Sequence, residues 1–422
     1  MSATDTYERR GSPERRASGM NPRFLFYSNE KFGLGHLRRT LVLAEQAAGL
    51  HERATCLVVT GSTAASYVPL PTRVDTMKLP TMTRSPEGDH RSRRLALRID
   101  ELHSLRSELA TTAARAFQPG VAVVDKSPLG QGGELKPALE ALKSGGRCKL
   151  VLGLRDIEDN PTAVRREWTP AVRDAINRYY DAVLVYGPES SMDAINAAGW
   201  GPLDVPIHHV GYVGAAVPEA GPVALPAEYV LATVGGGGDG FDMLAAFLQA
   251  LRLHPLHRPS VIVTGPEMEL RQVERLEQLA EGLDVFLSRF RADMPATIAG
   301  ARAIVTMAGY NTVCEMARAR TPALIVPRVQ PREEQLIRAR GLVAADAADM
   351  IHPADLTPAT MRRALDRLLA RPRPQFTAEH HDGALRTASI LSALAETTRD
   401  RTAVGERRRP GSRQTRRRLV VA

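Results

Sequence analysis

Cysteine is scarce in this chain: Cys56, Cys148 and Cys314 stand far apart among 422 residues. Three widely spaced thiols offer neither a disulfide framework nor paired zinc ligands, and they fit a reducing compartment. No apolar run approaches the ~20 residues that span a bilayer. The opening stretch, MSATDTYERRGSPERRASGM, lacks the apolar segment of a secretory signal. What is present is ordinary globular material, 43% hydrophobic and 24% charged, which excludes global disorder. At roughly 150 residues per domain, the length allows two full domains and little more.

The net charge of +9 sits at the ends. Residues 1–23 hold five arginines against Asp5, Glu8 and Glu14, and residues 399–422 hold nine against Asp400 and Glu406, so the body from 24 to 398 is neutral. Both ends, 1–22 and 399–422, are rich in Arg, Ser, Gly and Pro and are expected to be disordered. The run ERRRPGSRQTRRR either stays solvated or touches an anionic membrane or nucleic acid weakly; no specific nucleic-acid recognition is expected.

Between the tails, apolar strands alternate with helix-length segments, the pattern of parallel α/β layers. Strands are expected at 23–28, 54–60, 74–79, 121–125, 149–154 and 182–187. They recur at 229–234, 260–264, 283–288, 303–307 and 322–327. Their near-continuous Val, Ile and Leu content fits strands covered on both faces. The stretch 214–227, with three prolines and two glycines, separates the halves. The expected organisation is a Rossmann-like domain at 23–213, a linker at 214–227 and a second such domain at 228–380. A helix over 381–398 would follow and pack back on the first domain. Ligands in such sheets bind beyond the carboxyl ends of the strands, which directs attention to the loops there.

Gly33 and Gly35, in GLGHLRR, allow a tight turn into a helix with open amides. His36 stands at that helix mouth, where the macrodipole favours a neutral imidazole, either a usable base or a packed cap. In the second half, Gly235, Gly236, Gly237 and Gly238 follow a strand directly. They make either a diphosphate cradle or a flexible loop; neither a Walker motif nor a spaced dinucleotide fingerprint is present. After the 303–307 strand come Gly309, Asn311 and Thr312, with a helix capped by Asn311 or Thr312 and a second anion site at its start. Glu315 lies on the same face as Asn311, placed for ribose hydroxyls or simply facing solvent. Glu333, Glu334 and Gln335 open a further helix, where they face a polyhydroxyl ligand or complement the dipole.

The stretch 283–335, with SRFRADMP, AGYNTVCEM, TPALIVP and PREEQ, resembles the C-terminal domain of family 28 glycosyltransferases, the family of the peptidoglycan N-acetylglucosaminyltransferase. GLGHLRR, with DKSPLG at 125–130 and GLRDIEDNP at 153–161, is similar to a bacterial group of predicted glycosyltransferases. The resemblance implies a GT-B fold: two doubly wound Rossmann-like domains facing across a cleft. The nucleotide-sugar donor, a UDP-sugar, would bind the C-terminal domain, and a small-molecule or lipid acceptor the N-terminal one. Neither metal nor cofactor is implied, the nucleotide-sugar being a co-substrate. Glu315 matches the ribose-holding glutamate, and Glu334 with Gln335 the pair on the donor sugar. Gly235–Gly238 and the 309–312 turn match diphosphate contacts, and Phe290 to Met294 the loop beside the nucleobase. His36 matches the first-loop histidine, while Arg38 and Arg39 depart from the peptidoglycan pattern and are candidates for acceptor or phosphate contact.

The expected reaction is an inverting displacement with His36 as base, then Asp125, then Asp156 as alternatives. The expected place is the cytoplasm, with peripheral contact at the inner membrane face. One competing reading is a nucleotide-sugar hydrolase or epimerase, since G-x-G-H-x-x-R also occurs in a nucleotide-sugar hydrolase. Another is a non-catalytic protein that binds anionic polymer or membrane through its arginine tail.

Overall fold

A computed structural model describes residues 21–29, 35–66, 68–84, 90–189, 203–216, 224–376 and 382–407. Gly33, residues 217–223 of the expected linker, and the tail segments 1–20 and 408–422 lie outside the described residues.

The first half supplies β1 (Arg23–Ser28), β2 (Thr55–Thr60), β3 (Val74–Lys78), β4 (Met82–Arg84), β5 (His90–Ser92), β6 (Val121–Asp125), β7 (Lys149–Arg155), β8 (Ala182–Tyr186) and β9 (Ile207–His209). Seven of them form one parallel sheet in the order β3-β2-β1-β6-β7-β8-β9. The second half supplies β10 (Val230–Thr233), β11 (Ser260–Val263), β12 (Val285–Ser288), β13 (Ala303–Thr306), β14 (Ala323–Ile325) and β15 (Asp349–Met350). These make a parallel sheet in the order β12-β11-β10-β13-β14-β15. Helices follow most strands, so central strands such as β6, β8, β10 and β13 are buried along their whole length. Each fully buried Val or Leu there contributes roughly 1.5–3 kcal/mol.

Strand order fixes where chemistry can happen. In the first sheet the chain reverses direction of growth between β1 and β6, which brings the loops after those two strands side by side. In the second sheet the same reversal falls between β10 and β13, so the glycine loop and the 307–309 turn become neighbours.

The polar stretch 80–98 contains the antiparallel β4–β5 pair, whose strands are too short and polar to show an apolar pattern. One local expectation is corrected. The last helix, Gly383–Arg407, runs beyond residue 398 into the expected tail. Ala403 and Glu406 are good helix formers, and the next proline is Pro410. This helix crosses back to the first domain: Leu391 and Ala395 share a core with Ala44 and Ala47, and His51 Nε2 lies 2.9 Å from Ser392 Oγ.

Candidate active site in the interdomain cleft

The reversal between β1 and β6 joins His36, in the first turn of the Gly35–Gly49 helix, to Asp125, the last residue of β6. His36 Nδ1 lies 2.5 Å from Asp125 Oδ2. Arg39, one helical turn beyond His36, places Nη2 2.5 Å from Asp125 Oδ1 and 3.0 Å from His36 Nδ1. A guanidinium only donates, and an Nδ1 that donates to Asp125 has no lone pair for it. The arginine's hydrogen bond therefore goes to the carboxylate, and His36 is left with Nε2 as its basic nitrogen.

Burial is the main reason that the His36 pKa falls to about 4; Asp125 opposes that shift, and Arg39 and Arg155 reinforce it. The imidazole is thus neutral at pH 7, with desolvation the leading cause. Burial works against the Asp125 carboxylate, but Arg39 and His36 outweigh it and hold its pKa down to about 2. A neutral imidazole backed by a fixed carboxylate is the arrangement of a general base with its orienting group. Expected as rivals for one role, His36 and Asp125 are partners. Arg39, expected at a phosphate or acceptor, is committed to Asp125. Asp156, a third candidate base, is buried and held by Arg338 of the other domain through bonds of 3.0 and 2.8 Å, and also accepts from Ile157 N at 2.8 Å.

Further contacts cross the cleft. Asn311 Nδ2 donates to Gly35 O at 3.1 Å. Arg38 Nη2 stands 3.8 Å from Glu315 Oε1. Burial raises the pKa of the Glu315 carboxyl, and Arg38 offsets part of that rise. A cavity of about 330 Å³ opens here between the domains, lined by Arg38, Val42, Leu70, Gly214, Asn311 and Glu315. Glu315 is therefore neither solvent-facing nor saturated; it borders an opening of ligand size.

On the second domain, the Tyr310–Ala319 helix begins after Gly309 with no side-chain cap, in place of the expected Asn311 or Thr312. Its first amides are thus not taken by a side chain of its own. The glycine loop is partly a packing requirement. A Cβ on Gly237 would stand 2.3 Å from Thr264 O, and one on Gly240 2.2 Å from Val234 Cβ, whereas Gly238 faces open space. Arg328, which the sequence reading missed, ties this loop to the next helix. It bonds Asp239 Oδ2 at 3.0 Å and Glu334 Oε1, while its main-chain N–H donates to Gln335 Oε1 at 3.0 Å. Among the described residues Glu334 Oε2 has no hydrogen-bond partner. Phe290 is 48% exposed, whereas Met294 is buried in the core and heads a short helix. Among the described residues no three His, Cys, Asp or Glu side chains gather into a metal site.

Residues 231–394 match the family described as Glycosyltransferase family 28 C-terminal domain. This part of the chain is similar to the family 28 C-terminal domain. The UDP-N-acetylglucosamine--N-acetylmuramyl-(pentapeptide) pyrophosphoryl-undecaprenol N-acetylglucosamine transferase of Rhodospirillum rubrum is 31% identical over 172 residues, covering 38% of this chain and 44% of that protein. The chain spans about half the length of the curated relatives it matches.

The fold extends the likeness beyond the family 28 domain. MurG of Acinetobacter baumannii superposes with a TM-score of 0.53 at 14% identity, covering 90% of this chain and 100% of that one. The UDP-GlcNAc 2-epimerase of Methanocaldococcus jannaschii gives 0.57 at 9% identity, covering 89% and 99%. At such identities the likeness concerns architecture: the chain has the two-domain GT-B fold, which a transferase and an epimerase share.

Proposed function

We propose that the protein is a glycosyltransferase that moves a sugar from a nucleoside-diphosphate sugar, a UDP-sugar, to an acceptor hydroxyl with inversion and without a metal ion. The observation that supports it most is the position of the His36–Asp125 pair at the strand ends of the first domain, opposite a family 28 domain. His36 Nε2 takes the acceptor proton while the acceptor oxygen bonds the anomeric carbon and the bond to the diphosphate breaks. Asp125 holds the ring and stabilises the imidazolium that forms. The diphosphate departs toward the amides of Gly235–Gly238 and the Gly309–Thr312 helix start, whose dipole carries positive charge. Glu315 accepts from the ribose, the Phe290–Met294 loop borders the base, and Glu334 with Gln335 receives the sugar hydroxyls. Gly35 and Arg38 lie on the acceptor side, and Gly33 falls outside the described residues.

The acceptor is a small molecule or a lipid. Among the described residues no helix is long and apolar enough to cross a membrane. In this reading the protein works in the cytoplasm, where its three free, buried thiols persist, and touches the inner membrane face through the basic tail. Purified protein is incubated with a panel of UDP-sugars, with and without candidate acceptors. Nucleotide release that depends on an acceptor is the expected result. Rapid stoichiometric release without one supports the hydrolase reading, in which His36 activates water.

A further inference from the structure

Arg39 carries its charge in the middle of the molecule, 3% exposed. Its Nη2 holds Asp125 Oδ1, leaving Oδ2 for His36. Its guanidinium carbon lies 5.4 Å from the ring centre of Tyr186, the last residue of β8, and 5.2 Å from that of Tyr310, the first residue of the Tyr310–Ala319 helix in the family 28 domain. Among the described residues Arg39 Nε has no hydrogen-bond partner, so on that side rings rather than acceptors face the group.

Both rings are held in place. Tyr186 lies over β7 because residue 153 is glycine: a Cβ there would stand 1.9 Å from the Tyr186 hydroxyl. Tyr310 donates to Tyr186 O at 2.9 Å and accepts from Val213 N at 3.0 Å. The cation is thus enclosed by a ring from each domain, and the carboxylate it grips is the one that orients His36.

We infer that Arg39 is a positioning residue for the His36–Asp125 pair, and that its grip is completed only by Tyr310 from the opposite domain, so that the two domains assemble the base together. The inference rests on the reading of His36 as base. An isolated first domain, or one whose partner has swung away, would leave Arg39 one ring short and open to water. Hydration of the guanidinium weakens its hold on Asp125 and raises the local dielectric, and His36 then returns toward an ordinary imidazole. The ionised groups that face His36 are Asp125 from β6, Arg39 from its own helix and Arg155 from β7; Arg39 is faced by the Asp125 carboxylate and by the Tyr186 and Tyr310 phenols, which burial keeps neutral.

The test is an NMR titration of the His36 ring in the full chain, which needs no turnover. Arg39→Gln removes the neighbouring positive charge, and the titration midpoint is expected to rise by about one pH unit or more. Tyr310→Leu is expected to move it in the same direction by a smaller amount, while Tyr310→Phe, which keeps the ring, leaves it near the wild-type value. Arg39→Lys keeps the charge and restores the midpoint, yet loses the planar contact, so kcat falls by about a hundredfold with donor KM little changed. An identical midpoint in wild type and Tyr310→Leu overturns the coupling, and that comparison stands even where Arg39→Gln does not fold. Full turnover in His36→Ala would sink the base reading alone, because the titration measures the coupling whatever reaction the cleft performs.

Discussion

Arg338 and Asp156 form a bidentate pair between the two domains, Nε to Oδ2 at 3.0 Å and Nη2 to Oδ1 at 2.8 Å, with 2% and 1% of the side chains exposed. Arg338 Nη1 also donates to Ala308 O at 3.0 Å, fixing a turn whose φ of 61° is unusual for a residue with a side chain. Removing one partner leaves a buried charge without compensation, which costs about 3–5 kcal/mol. Asp156→Ala is therefore expected to lower the melting temperature by several degrees. Asp156→Leu combined with Arg338→Met, which removes both charges, should recover most of the loss. A single variant that melts like wild type would show that the pair does not hold the interface.

Much of the fold was legible because buried parallel strands announce themselves as unbroken apolar runs: VAVVD and AVLVY need no partner to be recognised. The site was legible only by residue type. His36 and Asp125 are 89 positions apart, and nothing in either segment says that β1 and β6 are neighbours while β2 lies on the other side. Without that order, Asp125 reads as a second base instead of a partner, and Arg39 as a ligand contact instead of the counter-ion beneath it. Arg328 and Arg338 escaped for the same reason. An arginine in a polar loop or helix looks like surface until the domain opposite, or the loop beside it, supplies its carboxylate. Of the four glycines expected as a diphosphate cradle or a flexible loop, Gly237 also answers to packing, as does Gly240 just after them.

The His36–Asp125 pair sets an acid limit. With its folded-state pKa lowered from 6.5 to about 4, His36 binds protons in the unfolded chain before it binds them in the folded one. Stability is thus full above pH 6.5 and declines as pH falls toward 4, by about 3 kcal/mol in all. Asp125, held down to about 2, adds a further loss as pH drops from 3.8 to that value. Denaturation between pH 7 and 4 checks this: His36→Asn should flatten the decline in that window. The acid limb of turnover should likewise fall well below the pH of an ordinary imidazole.

Glu315 borders the interdomain cavity with only a loose contact, 3.8 Å, to Arg38. If its oxygens receive ribose hydroxyls, Glu315→Ala removes hydrogen bonds to a charged acceptor and should weaken binding of the nucleoside diphosphate by roughly tenfold or more. Calorimetry with UDP in place of the sugar donor isolates this contact from catalysis. Unchanged affinity would move the ribose elsewhere.

The glycine loop offers a test that separates fold from ligand. At Gly237, φ is 96° and a methyl group would meet main-chain atoms of Thr264 and Met268 at 2.3 and 3.0 Å, so Gly237→Ala must distort the loop and lower stability whether or not anything binds there. Gly238 has no such constraint: among the described residues nothing lies within 4 Å of an added Cβ. Gly238→Ala should melt within about 0.5–1 kcal/mol of wild type, as a substitution free of strain and packing conflict does. If a diphosphate lies against the loop amides, however, the added methyl intrudes on its approach and UDP affinity falls while stability holds. Equal affinity in Gly238→Ala and wild type would place the diphosphate away from this loop, leaving its glycines to packing alone.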